Sequence, residues 1–151
     1  MINVIVDDVF TPQVDSVNLK FAAQKTLEFQ NMSIETDLSI VITDNEQIQA
    51  LNLQYRGIDS STDVLSFPAD FVDPDNKKTY LGDVIISYPK CLEQAQSANH
   101  STNDELILLV VHGVLHLLGF DHIQNDDKKR MWSLQAVILK QLDYLHINFP
   151  R

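Results

Sequence analysis

The sequence predicts an α+β domain: a small mixed sheet of four strands covered by about five helices, with one buried apolar helix at its centre. Three observations carry this. The pattern segments run strand, helix, strand, helix, strand, strand, helix, helix, helix, which is neither strict βαβ alternation nor an all-helical order. The run from Leu106 to Leu118 is apolar except for His112, Gly113 and His116, so a helix there is buried nearly all round. A chain of 151 residues, 44% of them hydrophobic, is long enough to bury a sizeable core, and residues 1–151 read as one domain.

Residues 2–6 are mostly β-branched and form a strand closed by Asp7-Asp8. From about Ser16 a helix follows, with Leu19, Ala22, Ala23 and Leu27 as its apolar stripe. Leu38, Ile40 and Ile42 mark a second strand. Thr43-Asp44-Asn45-Glu46 matches a capping box for the next helix, whose buried face is Ile48, Leu51 and Tyr55 and which ends at Gly57. After a polar loop, Asp63 to Phe67 is a short strand stopped by Pro68. Residues 69–79, rich in Asp and Lys, are a solvated loop. Leu81 to Ser87 is the fourth strand, and Pro89 suits the first turn of a helix to about Ala98. Thr102-Asn103-Asp104-Glu105 is a second capping box and opens the central helix. Asp126-Asp127 lead a last helix with the stripe Met131, Leu134, Ile138, Leu142 and Leu145; Lys140 near its end answers the dipole.

The charge balance narrows the function classes. Lys+Arg is 11 and Asp+Glu is 21, a formal charge of −10, so broad electrostatic capture of nucleic acid is excluded and any such role needs a local patch or an assembled partner. The single cysteine, Cys91, rules out an internal disulfide and implies no disulfide-linked partner; it reads as a small buried hydrophobe. The N-terminus lacks a basic n-region and a cleavage site, and the Leu106–Leu118 run is too short to span a bilayer. A soluble, cytoplasmic protein with no membrane partner is expected.

The chemistry concentrates at His112-Gly113-Val114-Leu115-His116-Leu117-Leu118-Gly119-Phe120-Asp121-His122. His112 and His116 share a helix face one turn apart. Gly119 permits a left-handed stop, after which His122 can turn back toward them. Two histidines on an apolar helix are often satisfied core residues, but burying both without partners would cost a few kcal/mol each. A third histidine beyond a glycine break favours a metal. Three imidazoles suit one zinc ion in a tetrahedron, with a fourth position open to water, which is the catalytic pattern. The spacing resembles H-E-x-x-H-x-x-G-x-x-H of zinc proteases, but Gly113 stands where their general-base glutamate would be. The cradle is present and the protease base is absent. Gly113 itself costs a helix about 1 kcal/mol relative to alanine, so a backbone or ligand is expected to pass close.

Other residues have two readings each. Arg56 at a helix C-terminus answers the dipole, or aims a planar guanidinium at a phosphate. Asp63, Ser66 and Asp83 cap turns, bind a ligand or orient a histidine. Asp121 is a metal ligand, a partner of a ligating histidine or a proton acceptor, with His122 preferred as the ligand. His100 and His146 read as surface residues and Trp132 as core.

Three motifs make the pattern specific. Leu51-Asn52-x-x-Tyr55-Arg56-x-x-Asp59-x-x-Thr62-Asp63-Val64-Leu65-Ser66-Phe67-Pro68, then Leu81-Gly82-Asp83-Val84-Ile85-Ile86-Ser87, then His112-Gly113-x-Leu115-His116-Leu117-x-Gly119-x-Asp121-His122 resemble the YbeY family, in order, over residues 38 to 135. The N-terminal third matches in layout alone. Phe120 stands where the family commonly has tyrosine. Gln135 stands where an acid is common, which weakens any role for that position. The resemblance implies a zinc-dependent endoribonuclease specific for single-stranded RNA. Such enzymes act in rRNA maturation, notably at the 3′ end of 16S rRNA of the small subunit, and in ribosome quality control. It implies one zinc per chain held by His112, His116 and His122, a need for Arg56 in the active site, and as partners rRNA, the small ribosomal subunit and its assembly factors. A charge of −10 fits an enzyme that meets its RNA on a ribosomal particle.

Two rivals stand beside this reading: a metal hydrolase of a peptide or small molecule using the same cradle, and a non-enzymatic ribosome-assembly factor whose zinc is structural. The absent glutamate disfavours the peptidase, and the open coordination position disfavours a structural ion.

Overall fold

Strand β1 (Ile2–Val6) pairs in parallel with β2 (Thr36–Thr43), Val4 opposite Ile40. Between them helix α1 (Ser16–Phe29) makes the crossover that parallel strands need. The computed structural model describes residues 1–32, 35–120 and 125–142. In chain order there follow α2 (Asn45–Arg56), β3 (Val64–Val72), β4 (Thr79–Ser87), α3 (Tyr88–Ala98), α4 (Thr102–Leu117) and α5 (Asn125–Gln141), with a short 3-10 turn at Thr11–Gln13. The sheet order is β1-β2-β4-β3; β2 and β4 run parallel, and β3 returns antiparallel on the edge beside β4. The expected mixed sheet of four strands and five helices is therefore present among the described residues.

The two faces of the sheet have different tenants. Ile2, Leu38, Ile40, Ile42, Val84 and Ile86 join the main core with α1, α4 and α5. Leu65 and Ile85 point the other way and pack under Ile48 of α2. Strand alternation, with period two, sends the residues next to one another to opposite faces. Helix α4 lies at the centre of the main core: every residue from Glu105 to Val111 is buried, as are Gly113, Val114, Leu115 and Leu117. At about 1.5–3 kcal/mol for each fully buried Leu, Ile or Val side chain, tertiary burial far outweighs this helix's propensity terms.

Several local expectations shift. Pro68 does not end β3, which continues to Val72. Its partner register slips between Pro68 and Phe71, and β3 is the edge strand, so the missing N–H costs no ladder bond. The loop shortens accordingly, closed by Asp73 N–H donating to Lys78 O. Both capping frames are displaced by one residue. Thr43 is the last rung of β2 opposite Ser87, so Asp44 caps α2, accepting from Gln47 N at 2.8 Å. Ser101 caps α4, accepting from Asp104 N at 3.0 Å. Glu105, freed from the capping role, turns inward, and Oε1 meets His100 Nε2 at 2.7 Å. The His100 side chain is 2% exposed, so it is not a surface residue. Tyr55 is exposed rather than buried, and Trp132 is half-buried, with Lys128 Nζ 4.4 Å from its ring centre. Cys91 is buried as expected. Leu145 and His146 lie outside the described residues. No helix of the described residues is long and apolar enough to cross a membrane.

Candidate functional site

Helix α4 carries His112 and His116 on one face, both half-buried. Their Nε2 atoms face each other at 3.1 Å, with ring centres 4.6 Å apart. The other nitrogen of His112, Nδ1, lies 2.5 Å from Gln135 Oε1 on α5. An amide oxygen only accepts, so Nδ1 is placed to donate to it, which would turn the Nε2 lone pair of His112 toward His116.

Gly113 explains how closely the helix lies on the sheet. A Cβ built there would sit 2.5 Å from Val84 Cγ1. Position 113 thus faces the sheet, and Ser66 Oγ of β3 donates to its carbonyl at 3.0 Å. The close neighbour expected at this glycine is a valine side chain with a strand behind it. Gly119, at φ +100, ends the helix with its N–H donating to His116 O. Beyond it a cavity of about 190 Å³ opens between Leu118, Gly119 and Phe120 on one side and Asp127 and Arg130 on the other.

The remaining candidates are spread over the fold. Asp63 is engaged locally: its carboxylate accepts from Val64 N at 2.8 Å and from Gln94 Nε2 at 3.2 Å. Asp83 sits opposite Phe67 on the face away from α4 and accepts from the Tyr80 hydroxyl, whose oxygen is 2.9 Å from Ser39 Oγ. Burial first, and then the bond to the Asp83 carboxylate, push the Tyr80 hydroxyl above its usual value of 10.0. Arg56 ends α2, which packs on the sheet face opposite α4. Its neighbour Tyr55 meets Phe67 edge-on at 5.4 Å, so the α2 terminus lies at the edge strand whose Ser66 touches Gly113. Arg56 is exposed and makes no hydrogen bond or ion pair among the described residues.

Asp121 and His122 lie outside the described residues, and among the described residues no group of three His, Cys, Asp or Glu is placed to hold a metal. The two histidines that are described fit a shared ion. Nitrogens about 2.0–2.1 Å from one tetrahedral zinc lie roughly 3.3 Å apart, against the 3.1 Å seen here. With Nδ1 placed to donate to Gln135, Nε2 is the nitrogen that His112 turns toward a shared ion. Sequence reasoning discounted Gln135, although a signal existed: a polar residue four after Met131 and three before Ile138, inside the buried stripe of α5.

Comparison with known proteins addresses the whole chain. The family model described as Endoribonuclease YbeY matches residues 8–143. An Endoribonuclease YbeY of Dehalococcoides mccartyi is 44% identical, covering 93% of this chain and 96% of the relative. Those of Roseiflexus castenholzii and Clostridium botulinum are 43% and 38% identical over 92% and 91% of the chain, and 93% and 91% of the relatives. A protein of Thermotoga maritima, known from a solution structure, shares the fold: TM-score 0.59 at 23% identity, covering 95% of this chain and 92% of that one. A family model spanning most of the chain, and relatives matched nearly end to end, agree with the histidine helix and its glycine: the chain belongs to the YbeY family of endoribonucleases.

Proposed function

We propose that this chain, as one metal-dependent hydrolase domain, is a zinc-dependent endoribonuclease that cuts single-stranded RNA. Its family makes it a nuclease acting in rRNA maturation. The finer reading is ours: His112, His116 and His122 hold one zinc ion, and the RNA is cut at the 3′ end of small-subunit rRNA and during ribosome quality control, on the small subunit with its assembly factors, in the cytoplasm. The observation that carries the site is the pair of Nε2 atoms 3.1 Å apart, with the far nitrogen of His112 tied to Gln135.

When bound, the ion would supply Lewis acidity and bring the pKa of a water to about 7. The chain's own residues do the rest. Arg56, with no hydrogen-bond or ion-pair partner among the described residues, is available to bind the scissile phosphate and the charge that grows on its oxygens. From α2 it would reach the site around the β3 edge. Asp121, next to His122 in sequence, would orient that histidine or take up a proton. Gly113 disfavours the peptidase reading on physical grounds, because a glutamate there would point into Val84 rather than toward a substrate.

The test is metal analysis of protein prepared without chelator, followed by incubation with single-stranded RNA, duplex RNA and casein. We expect one zinc per chain, cleavage of the single-stranded RNA alone, and loss of zinc and activity together in His116→Ala. Absence of zinc, or a full equivalent retained by His116→Ala, refutes the site. Zinc-loaded protein that cuts neither free RNA nor rRNA in immature particles is a ribosome-assembly factor instead.

A further inference from the structure

Gln135 interrupts the apolar stripe of α5. Met131 and Ile138, one turn to either side, are fully buried, and Gln135 itself is 3% exposed. A buried primary amide in such a stripe must find partners. Its oxygen finds His112 Nδ1 at 2.5 Å, at the far side of the ring from His116.

We infer that Gln135 is a positioning residue for the metal centre: its amide oxygen holds the hydrogen of His112 on Nδ1, fixing the tautomer and rotation that aim Nε2 at the shared ion. This rests on the zinc reading above and adds to it a residue on another helix. An imidazole binds a metal through one nitrogen, and the bond made by the other decides which nitrogen that is. Helix α4 by itself leaves the choice open, because an i, i+4 spacing fixes where the rings stand but not which nitrogen bears hydrogen. Docking of α5 on α4 makes the choice, so the site is complete only when the last helix is in place. A neutral amide does this without adding negative charge beside the ion. Glutamate at 135 would perform the same orientation and make the imidazole a stronger donor.

The experiment reads zinc affinity by chelator competition in the wild type, Gln135→Glu and Gln135→Leu, with helix content and melting temperature measured alongside. Nitrogen-15 NMR of the imidazoles in metal-free wild type reads the tautomer directly. We expect His112 protonated at Nδ1, a zinc affinity lowered roughly ten- to hundred-fold in Gln135→Leu, and wild-type or tighter affinity in Gln135→Glu. Rescue by glutamate separates orientation from mere packing, since leucine fills the stripe at least as well. Wild-type affinity in a folded Gln135→Leu overturns the inference and leaves the zinc site standing. So does hydrogen on Nε2 of His112 in the metal-free wild type, a measurement that needs no variant to fold. Wild-type protein that takes up no zinc removes the zinc reading and this inference together.

Discussion

Val84 Cγ1 stands 2.5 Å from the place where a Cβ on Gly113 would be. The central helix rests on the sheet at this point. The glycine next to His112 is therefore a packing requirement, and the same contact denies the position to a carboxylate base.

Gly113→Ala is expected to destabilise the protein despite the better helix propensity of alanine. Propensity favours alanine by about 1 kcal/mol, whereas overpacking a stiff β-branched neighbour costs about 1–3 kcal/mol. Urea unfolding should show a net loss of about 1 kcal/mol. In a Val84→Ala background the clash is gone, and Gly113→Ala should become stabilising. Equal effects in the two backgrounds would mean that the contact does not matter.

Arg56→Ala should lose roughly a hundred-fold or more in RNA cleavage, the scale seen when one donor to a developing charge is removed. Stability should change by no more than about 0.5 kcal/mol, because the side chain is exposed and has no hydrogen-bond or ion-pair partner among the described residues. Arg56→Lys should recover activity only in part, since lysine lacks the planar fork. Loss of helix content or of zinc in Arg56→Ala would assign the residue to structure instead.

The nucleophile can be identified with one substituted substrate. RNA carries its own 2′-OH next to the scissile phosphate, and attack by that group leaves a 2′,3′-cyclic phosphate. A strand with a single 2′-deoxy residue at the cut site is then inert. Attack by water tolerates the substitution and leaves no cyclic end. Because zinc lowers the pKa of its water to about 7 and gives hydroxide without a protein base, we expect water activated at the proposed zinc site to be the nucleophile and the deoxy strand to be cut. An intact deoxy strand would decide for the 2′-OH.

Tyr80 gives stability a pH signature. Burial, then the bond to Asp83, raise the hydroxyl above 10.0 in the folded protein, while the unfolded chain titrates near that value. The contribution is complete below pH 10 and is lost as pH rises through the raised folded value. Tyr80→Phe should cost about 1 kcal/mol at neutral pH, and the gap to wild type should narrow above pH 10. Tyr88 is also raised by burial but is present in both proteins, so the difference isolates Tyr80. A gap that stays constant from pH 8 to 11 would contradict this.

Order and type of the elements were legible because each is written in local periodicity. The alternation in residues 2–6 and around Leu38–Ile42, the stripe of Leu19, Ala22, Ala23 and Leu27, and the all-round apolar run of α4 state their own geometry. The pairing of His112 with His116 was legible for the same reason, since four residues make about one turn. What misread locally was set from outside the segment. Pro68 sits within a strand because β3 is at the edge, and His100 is buried because Glu105 turns inward to meet it. Tyr55 is exposed because it meets the sheet at Phe67 of the edge strand β3, which leaves part of its ring to solvent.

The sequence by itself determined the helix, the spacing of its histidines and the glycine stop after them, because one turn of backbone dictates all three. Tertiary structure decided which nitrogen of His112 faces inward, that Gly113 lies against Val84, and that Arg56 and the histidines stand on opposite faces of one sheet. These relations join residues 23 to 60 positions apart on different elements. No periodicity encodes them; they exist only once α5 and β4 have docked on α4, and the α2 helix on the far side of the sheet, where close packing allows each side chain one place.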